Sequence, residues 1–261
     1  MIAGQVAAGL LAARRARPRL PLGELAGHPR TVAEGIAAQV ALAGLLGASD
    51  PPGFKIGATA AAMQAYLGLA GPAAGFMPEA SLHGTGSTLS WDRFFRPGAE
   101  CEIAVQLGHD LPPEPCTPAA ARAATEAIMP AIEIVENRYG DLSAFGAPAL
   151  IADQVFHGVA ILGEPCANWR DIDLGAVHGR LSVDGAVRGQ GNGRELLGGP
   201  FEALAWLAGS AEAAAFGGLR AGQIIMLGSV CTPIWLDAPG CIEVSFDGLG
   251  AVRVDLLSLT P

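Results

Sequence analysis

Two glutamates separated by one residue are the first feature of this sequence that suggests chemistry. Glu100 and Glu102 lie in residues 99–107, whose alternation of side chains is typical of a β-strand. Residues i and i+2 of a strand point to the same face, so the two carboxylates would lie side by side. Their repulsion is relieved by a proton or a cation, and the hard cations Mg²⁺ and Mn²⁺ prefer oxygen ligands. The spacing therefore indicates either a metal site or a solvated strand face.

Two further charged residues occur within apolar runs. Glu133 lies between two isoleucines in a second strand-like run, and a buried carboxylate there needs a partner. Glu136, three positions along the same strand, would point to the opposite face. Lys55 lies between a phenylalanine and an isoleucine. It is either part of a buried site or an amphipathic side chain whose amine reaches solvent.

Other motif searches give no catalytic signature. Residues 189–193, GQGNG, resemble a nucleotide-binding loop only loosely and lack the GxGxxG spacing, so we expect a turn there. The sequence has no GxSxG and no HExxH motif. No metal-ligand spacing relates the five histidines, which we expect to be surface or core residues: His28, His83, His109, His157 and His178.

Composition limits the class of protein. The chain has 261 residues, of which 51% are apolar and 16% charged, with a net charge of −9. No cluster of lysine and arginine follows a helix face or a loop, which argues against nucleic-acid binding, because neutralising phosphates requires concentrated positive charge. The low charged fraction predicts that part of the surface is buried between copies of the chain, so we expect a homo-oligomer.

The cysteines and the N-terminus bear on location. The five cysteines are scattered and form no CxxC motif, so we expect free thiols in a reducing cytoplasm. The first apolar run is short and its arginines follow it, which favours a helix over a signal peptide. No segment reaches the ~18 uncharged apolar residues of a membrane span, so we expect no membrane segment.

The elements that must position these side chains follow from periodicity and turn signals. Helices are predicted at residues 2–15, 30–47, 59–68 and 200–216, and a capping box joins Thr31 to Glu34. Thr117-Pro118 opens another helix, which Pro130 ends before a strand at residues 131–136. Residues 75–96 are predicted as loop and short strand. The remaining strands are predicted at residues 54–57, 99–107, 156–163, 180–188, 223–230 and 241–255, with Asp184-Gly185 and Asp247-Gly248 as hairpin turns. The pattern is α+β rather than a regular strand–helix alternation.

Taken in order, several segments resemble the 2-keto-4-pentenoate hydratase and 4-oxalocrotonate decarboxylase group of the fumarylacetoacetate hydrolase superfamily. The resemblance runs through residues ~30–255. Its segments are Phe54-Lys55-Ile56-Gly57, Arg96-Pro97, Glu100-Cys101-Glu102-Ile103-Ala104, Pro130-Ala131-Ile132-Glu133-Ile134-Val135-Glu136, Ile151-Ala152-Asp153 with Gly158, Gly199-Pro200, Ala203-Leu204-Ala205-Trp206-Leu207-Ala208, Leu219-Arg220-Ala221-Gly222 and Leu227-Gly228-Ser229. Each segment alone is weak, and their joint order makes the resemblance specific.

The resemblance implies roles for particular residues. Glu100, Glu102 and Glu133 would hold a divalent cation, Mg²⁺ or Mn²⁺, and Lys55 and Glu79 would act as the general acid/base pair. The resemblance also implies a mixed β-sheet core with N-terminal helices, divided into a helical region at 1–53 and a catalytic domain at 54–261.

Three further residues are expected to contact the substrate: His83, Phe156 and Ser229. Where the family often has D-N-A-S-x-G, residues 153–158 read DQVFHG, so Phe156 replaces a serine. A phenyl ring there removes a hydroxyl and adds bulk. We therefore expect a preference for substrates with an apolar end or without a second carboxylate.

The implied reaction is hydration of a 2-hydroxy-2,4-dienoate, the tautomer of a 2-keto-enoate, to a 4-hydroxy-2-ketoacid in the catabolism of aromatic or cyclic compounds. Three alternatives stay open. They are decarboxylation of a 2-keto-3-enedioate of the 4-oxalocrotonate type, hydrolytic C–C cleavage of an acylpyruvate with His83 near the metal, and a non-catalytic partner subunit. A homo-oligomer is implied, as is a possible complex with a pathway decarboxylase or hydratase.

Overall fold

The computed structural model describes residues 2–16, 28–60, 64–65, 68–139 and 146–258. Half of the predicted helix at residues 59–68 lies outside them. Within the described residues, no helix has the length and apolar character needed to cross a membrane. Six α-helices are described: α1 (Ile2–Arg15), α2 (Val32–Leu45), α3 (Pro118–Ala124), α4 (Gly146–Ala152), α5 (Pro200–Ala208) and α6 (Ala211–Ala215).

Thirteen strands complete the described part of the fold. They are β1 (Gly53–Gly57), β2 (Ala73–Met77), β3 (Leu82–Gly84), β4 (Ser87–Ser90), β5 (Pro97–Leu107), β6 (Thr125–Glu136), β7 (His157–Leu162), β8 (His178–Val183), β9 (Ala186–Asn192), β10 (Ile224–Ser229), β11 (Ile234–Trp235), β12 (Gly240–Phe246) and β13 (Gly250–Leu257).

The strands form two mixed sheets. The larger has the order β2-β1-β10-β5-β6-β7-β3, and β11 pairs with β5. Its β1–β10 and β3–β7 pairs are parallel, and its other pairs are antiparallel. The smaller sheet has the order β4-β13-β12-β8-β9. Strand β6 contacts β12 and β13 across the interior, so the two sheets enclose the core. The predicted α+β fold with a mixed sheet is confirmed.

The two longest strands separate an apolar face from a functional face. On β5, Cys101, Ile103 and Val105 belong to the main hydrophobic core, and the residues between them point to the other side. On β6, Ile132 and Ile134 join the same core. Strand alternation therefore places Glu100, Glu102 and Glu133 on the opposite face of the sheet.

The N-terminal helices begin as predicted. Thr31 accepts a hydrogen bond from the backbone N–H of Glu34, whose carboxylate accepts from the Thr31 N–H, which confirms the capping box. Helix α1 buries Val6, Ala7 and Leu10 and packs against α2.

Three predicted elements were wrong in extent or type. The helix opened by Thr117 ends at Ala124, and β6 begins at Thr125, well before Pro130, because pairing with β5 overrides the helix propensity of the alanines. The predicted helix at 200–216 is two helices, and Ser210 caps the second by accepting from the Ala213 N–H.

The GQGNG segment belongs to strand β9 and the short helix after it, instead of forming a turn. A Cβ on Gly191 would overlap the carbonyl of Val230, and one on Gly189 would lie 2.8 Å from Cys231 Sγ. These glycines therefore leave room for the Val230 backbone and the Cys231 side chain.

Candidate active site

Three carboxylates converge where β5 pairs with β6. Glu100 lies directly opposite Glu133 in the antiparallel register, and Glu102 lies opposite Ala131 on the same face. One oxygen from each of the three carboxylates lies within 4.8 Å of the others. The structure thus brings together the three residues that the sequence predicted as metal ligands.

The electrostatics of this cluster fit a bound cation. Glu102 and Glu133 are fully buried, and Glu100 is partly exposed. Burial raises the pKa of Glu100 to about 8, with Lys55 opposing the shift and Glu133 adding to it. Burial and both neighbouring glutamates raise the pKa of Glu102 well above its usual value. Oxygen-only donors that repel one another match the preference of a hard divalent cation.

A bulge in β10 anchors the second carboxylate. The β5–β10 register shifts between Met226 and Ser229, and Gly228 there has φ = 100°. Its N–H donates to Glu102 Oε2 over 2.9 Å. The other oxygen, Oε1, is buried and has no hydrogen-bond partner among the described residues. This unsatisfied oxygen points to a ligand that is not protein.

Lys55 lies against the cluster. Its side chain is buried, with the amine 3.2 Å from Glu133 Oε2, and it donates to the Val155 carbonyl over 2.9 Å. Burial alone would lower the pKa of Lys55, but Glu133, Glu100 and Glu102 together raise it above the usual value. The amine therefore keeps its proton, and the alternative in which it reaches solvent is wrong.

A buried histidine that the sequence analysis assigned no role touches the same cluster. His157 Nδ1 lies 2.8 Å from Glu133 Oε1, and its Nε2 lies 2.8 Å from Ser81 Oγ. Burial lowers the pKa of His157, against the raising influence of Glu133. The histidine orients the carboxylate, as residues behind a metal ligand do. Histidine spacing could not reveal this contact, because Ser81 and Glu133 come from distant parts of the chain.

A cavity of about 480 Å³ opens beside Lys55 and Glu100. Its polar lining includes Arg96, Asn137 and Asp237. Most of the other side chains on its wall are apolar: Pro97, Val135, Val155, Phe156, Pro233, Trp235 and Leu236. Phe156 therefore lines the cavity as predicted, with its ring edge-to-face against Tyr139 at 6.0 Å. A second cavity of about 560 Å³ shares Glu100 and is lined by Ser229, Thr59 and Thr232.

The structure does not bring two predicted residues to this site. Glu79 is exposed at the start of a short 3₁₀-helix and lines neither cavity. His83 lies on β3 and lines a separate cavity of about 450 Å³ that shares no residue with the other two. Both follow β2 in the chain, and of the segment between them Ser81 reaches the cluster through His157. Ser229 is beside the site, with its hydroxyl oxygen accepting from the Cys101 N–H over 3.1 Å.

Comparison with known proteins decides the family. Residues 57–257 match the fumarylacetoacetate (FAA) hydrolase C-terminal family. The chain belongs to the fumarylacetoacetate hydrolase family. It is 35% identical over 203 residues to a 2-keto-4-pentenoate hydratase of Burkholderia vietnamiensis, which covers 77% of this chain and 76% of that relative. A 2-hydroxyhexa-2,4-dienoate hydratase of Comamonas testosteroni is 31% identical over 205 residues, or 77% of this chain and 76% of the relative.

A solved structure supports the same placement. The 4-oxalocrotonate decarboxylase from Pseudomonas putida G7, complexed with magnesium and adipate, superposes with a TM-score of 0.87 and 25% sequence identity. The match covers 97% of each chain, so it includes the N-terminal helices. The resemblance drawn from the sequence motifs is confirmed, and the chain is a hydratase-like enzyme of this family.

Proposed function

We propose that this enzyme adds water to a 2-hydroxy-2,4-dienoate and releases a 4-hydroxy-2-ketoacid. The observation that carries the proposal is the cluster of Glu100, Glu102 and Glu133 beside a charged, buried Lys55 at the wall of a cavity. The similarity to curated hydratases supports the same reaction class.

We assign the three glutamates as ligands of a divalent cation, Mg²⁺ or Mn²⁺. Their all-oxygen donor set and the unsatisfied Oε1 of Glu102 support that assignment. A cation bound there would supply positive charge for the carboxylate and 2-oxygen of the substrate. The related decarboxylase was solved with magnesium.

One of the protein's own groups suits the protonation step of this reaction. The reaction protonates C5 of the dienol, which loses its 2-hydroxyl proton, and water then adds at C4 of the resulting enone. Lys55 carries a proton, borders the cavity and is held by Glu133 and Val155, so we assign it as the general acid. Glu79 lies outside the cavity and is no longer assigned as its partner.

The apolar wall bears on the choice of substrate. Phe156, Val135 and Leu236 offer no hydrogen bond to a distal carboxylate, and burying a charge without a partner is unfavourable. This favours a mono-acid dienoate.

Decarboxylation of a 2-keto-3-enedioate is the second candidate. Arg96 in the same cavity could accept a second carboxylate, and the related decarboxylase structure covers almost the whole chain. Acylpyruvate cleavage loses its main support, because His83 lies in another cavity. A non-catalytic partner subunit would not need the complete carboxylate cluster.

A product assay separates these candidates. The purified protein is incubated with 2-hydroxypenta-2,4-dienoate or 4-oxalocrotonate, each with Mg²⁺ or Mn²⁺, and the products are identified by mass spectrometry. We expect a hydrated product from the mono-acid and slow or no CO₂ release from the dicarboxylate. CO₂ release without hydration would replace the hydratase proposal with the decarboxylase.

We also propose a homo-oligomer in a reducing cytoplasm. Large apolar side chains on α2 are exposed, namely Val32, Val40 and Leu45, and all five cysteines carry free thiols. Light scattering at micromolar concentration tests the assembly.

A further inference from the structure

A left-handed backbone segment borders the proposed active site. Gln154, Val155 and Phe156 have φ values of 58°, 52° and 66° in succession. Residues with side chains rarely adopt this conformation, and a β-branched valine is especially disfavoured. Such a segment persists only where its surroundings hold it in place.

This segment contacts the site directly. The Val155 carbonyl accepts the hydrogen bond from Lys55, and the Phe156 ring forms part of the cavity wall. A Cβ on Gly57 would lie 2.6 Å from the Val155 side chain, so the segment is also packed against the end of β1. A shift of this backbone would therefore displace both the partner of Lys55 and the cavity wall.

Ion pairs hold one end of the segment, and a hydrogen bond to a backbone carbonyl holds the other. Asp153, which precedes it, is fully buried and accepts from Arg14 Nη2 over 2.6 Å and from Arg138 Nη1 over 3.0 Å. Arg138 also donates to the carbonyl of His157, which follows the segment, over 2.6 Å. The two arginines thus fix the backbone before and after the three left-handed residues.

One of these two arginines comes from outside the region that matches the family model. Arg14 lies in the last turn of α1, far before residue 57, where that match begins. Its side chain is 14% exposed, so most of it is enclosed by the protein. The buried residues Val6, Ala7 and Leu10 pack helix α1 against the protein, and this packing holds the backbone of Arg14 in position.

We propose that Arg14 is a positioning residue of the active site. Through Asp153 it holds the left-handed segment so that the Val155 carbonyl fixes the Lys55 amine and Phe156 keeps its place on the cavity wall. The catalytic consequence rests on the proposed function, in which Lys55 is the general acid. Without Arg14, Asp153 keeps Arg138 as a partner, so the variant does not leave that buried charge unpaired.

The test compares Arg14→Met with Arg14→Lys and with the control Arg180→Met. Arg180 makes an exposed ion pair with Asp247 in the smaller sheet and lines neither site cavity. The measurements are kcat and KM for 2-hydroxypenta-2,4-dienoate with Mg²⁺, Mg²⁺ affinity by calorimetry, melting temperature, and hydrogen exchange by mass spectrometry.

For Arg14→Met we expect kcat to fall about 10- to 100-fold, because small displacements of catalytic groups have effects of this size. Mg²⁺ affinity should be nearly unchanged, since the three carboxylates lie on β5 and β6. Hydrogen exchange should rise at residues 153–158 and stay unchanged in β12 and β13. Arg14 contacts Asp153 through the single nitrogen Nη2, so Arg14→Lys, which keeps the charge and one donor nitrogen, should return kcat to within about threefold of wild type. Arg180→Met should behave as wild type.

Wild-type kcat in Arg14→Met would overturn the proposal, as would hydrogen exchange that rises equally throughout the protein. A Lys variant as slow as the Met variant would also overturn it. If Arg14→Met melts below the assay temperature, Arg14→Gln replaces it under the same criteria. If the wild type does not hydrate the dienoate, the proposed function fails. Hydrogen exchange at residues 153–158 of Arg14→Met then still tests whether Arg14 positions the segment. Unchanged exchange there would refute that role.

Discussion

Two buried charge clusters lie on either side of the left-handed segment, and their charges balance differently. The carboxylate cluster combines Glu100, Glu102 and Glu133 with the single amine of Lys55, so three carboxyl groups face one positively charged group. Among the residues that the structure describes, the arginine cluster pairs Arg14 and Arg138 with Asp153 and Glu136, so two arginines face two carboxylates.

This difference in charge balance indicates that the carboxylate cluster binds a ligand, whereas the arginine cluster stabilises the fold. A buried cluster with more carboxyl groups than positive groups is unfavourable until protons or a cation offset the excess negative charge. Such a cluster therefore indicates a ligand site. A balanced cluster needs no ligand, and it fixes the elements that carry it. The pKa of Arg138 reflects this balance, because burial alone would lower it but Asp153 and Glu136 raise it well above the usual value.

The largest expected effect comes from removing a carboxylate of the first cluster. Glu102→Gln keeps the shape but removes a charged ligand, so we expect divalent-cation affinity to fall about 100-fold or more and turnover to fall with it. Calorimetry with Mn²⁺ measures the affinity. The control is Glu243→Gln, on an exposed strand position. Full cation binding by Glu102→Gln would show that the site is misassigned.

Removing the amine of Lys55, the single positive charge of that cluster, should lower turnover without lowering cation affinity. In Lys55→Met, turnover should fall about 10²- to 10⁴-fold, the usual contribution of a general acid. Cation affinity should not fall, because the lost amine repels a cation. Steady-state kinetics and calorimetry on the same preparation give both quantities. Equal loss of both would mean that Lys55 is structural.

The segment between the clusters should control specificity more than rate. Phe156→Ser replaces an apolar wall by a hydroxyl, which should lower the preference for a mono-acid dienoate over a dicarboxylate by about tenfold. The measurement is the ratio of kcat/KM for the two substrates in wild type and variant. An unchanged ratio would show that Phe156 does not select the substrate.

The smallest expected effect is the pH dependence of stability and of cation affinity, which distinguishes the two clusters without any mutation. The pKa of Glu100 is raised to about 8, so between about pH 4.5 and 8 the cation-free folded protein holds a proton that the unfolded chain has lost. Stability without cation therefore falls as pH rises through this window. Cation binding should release this proton, and also the proton of Glu102 where that carboxyl is protonated, so affinity should rise with pH by about tenfold per pH unit for each proton released.

Calorimetry in buffers of different ionisation enthalpy counts the released protons. We expect proton release near pH 7, and less release once the pH exceeds the pKa of Glu100. No release at neutral pH would contradict the raised pKa of Glu100.

The sequence alone determined the parts of the site that depend on local geometry. The two-residue period of a strand placed Glu100 and Glu102 on one face, and the apolar neighbours of Glu133 and Lys55 marked them as buried charges in need of partners. The capping box of α2 was likewise readable, because it joins residues three positions apart. The order of motifs along the chain was enough to indicate the family.

Only the tertiary structure decided which distant residues meet. The register of β5 and β6 sets Glu100 opposite Glu133, and no local pattern specifies that register. His157 and Arg14 reach the site through residues 24 and 139 positions away. Conversely, Glu79 and His83 were predicted at the site, but the fold places neither of them in its cavities.

The physical reason is that local patterns report the preferences of neighbouring residues, while packing can override them. The alanine-rich segment before Pro130 has helix propensity, yet from Thr125 onwards it is held as a strand by pairing with β5. Sequence patterns therefore indicated which buried side chains need partners. The packing of the two sheets and helix α1 determined which residues became those partners.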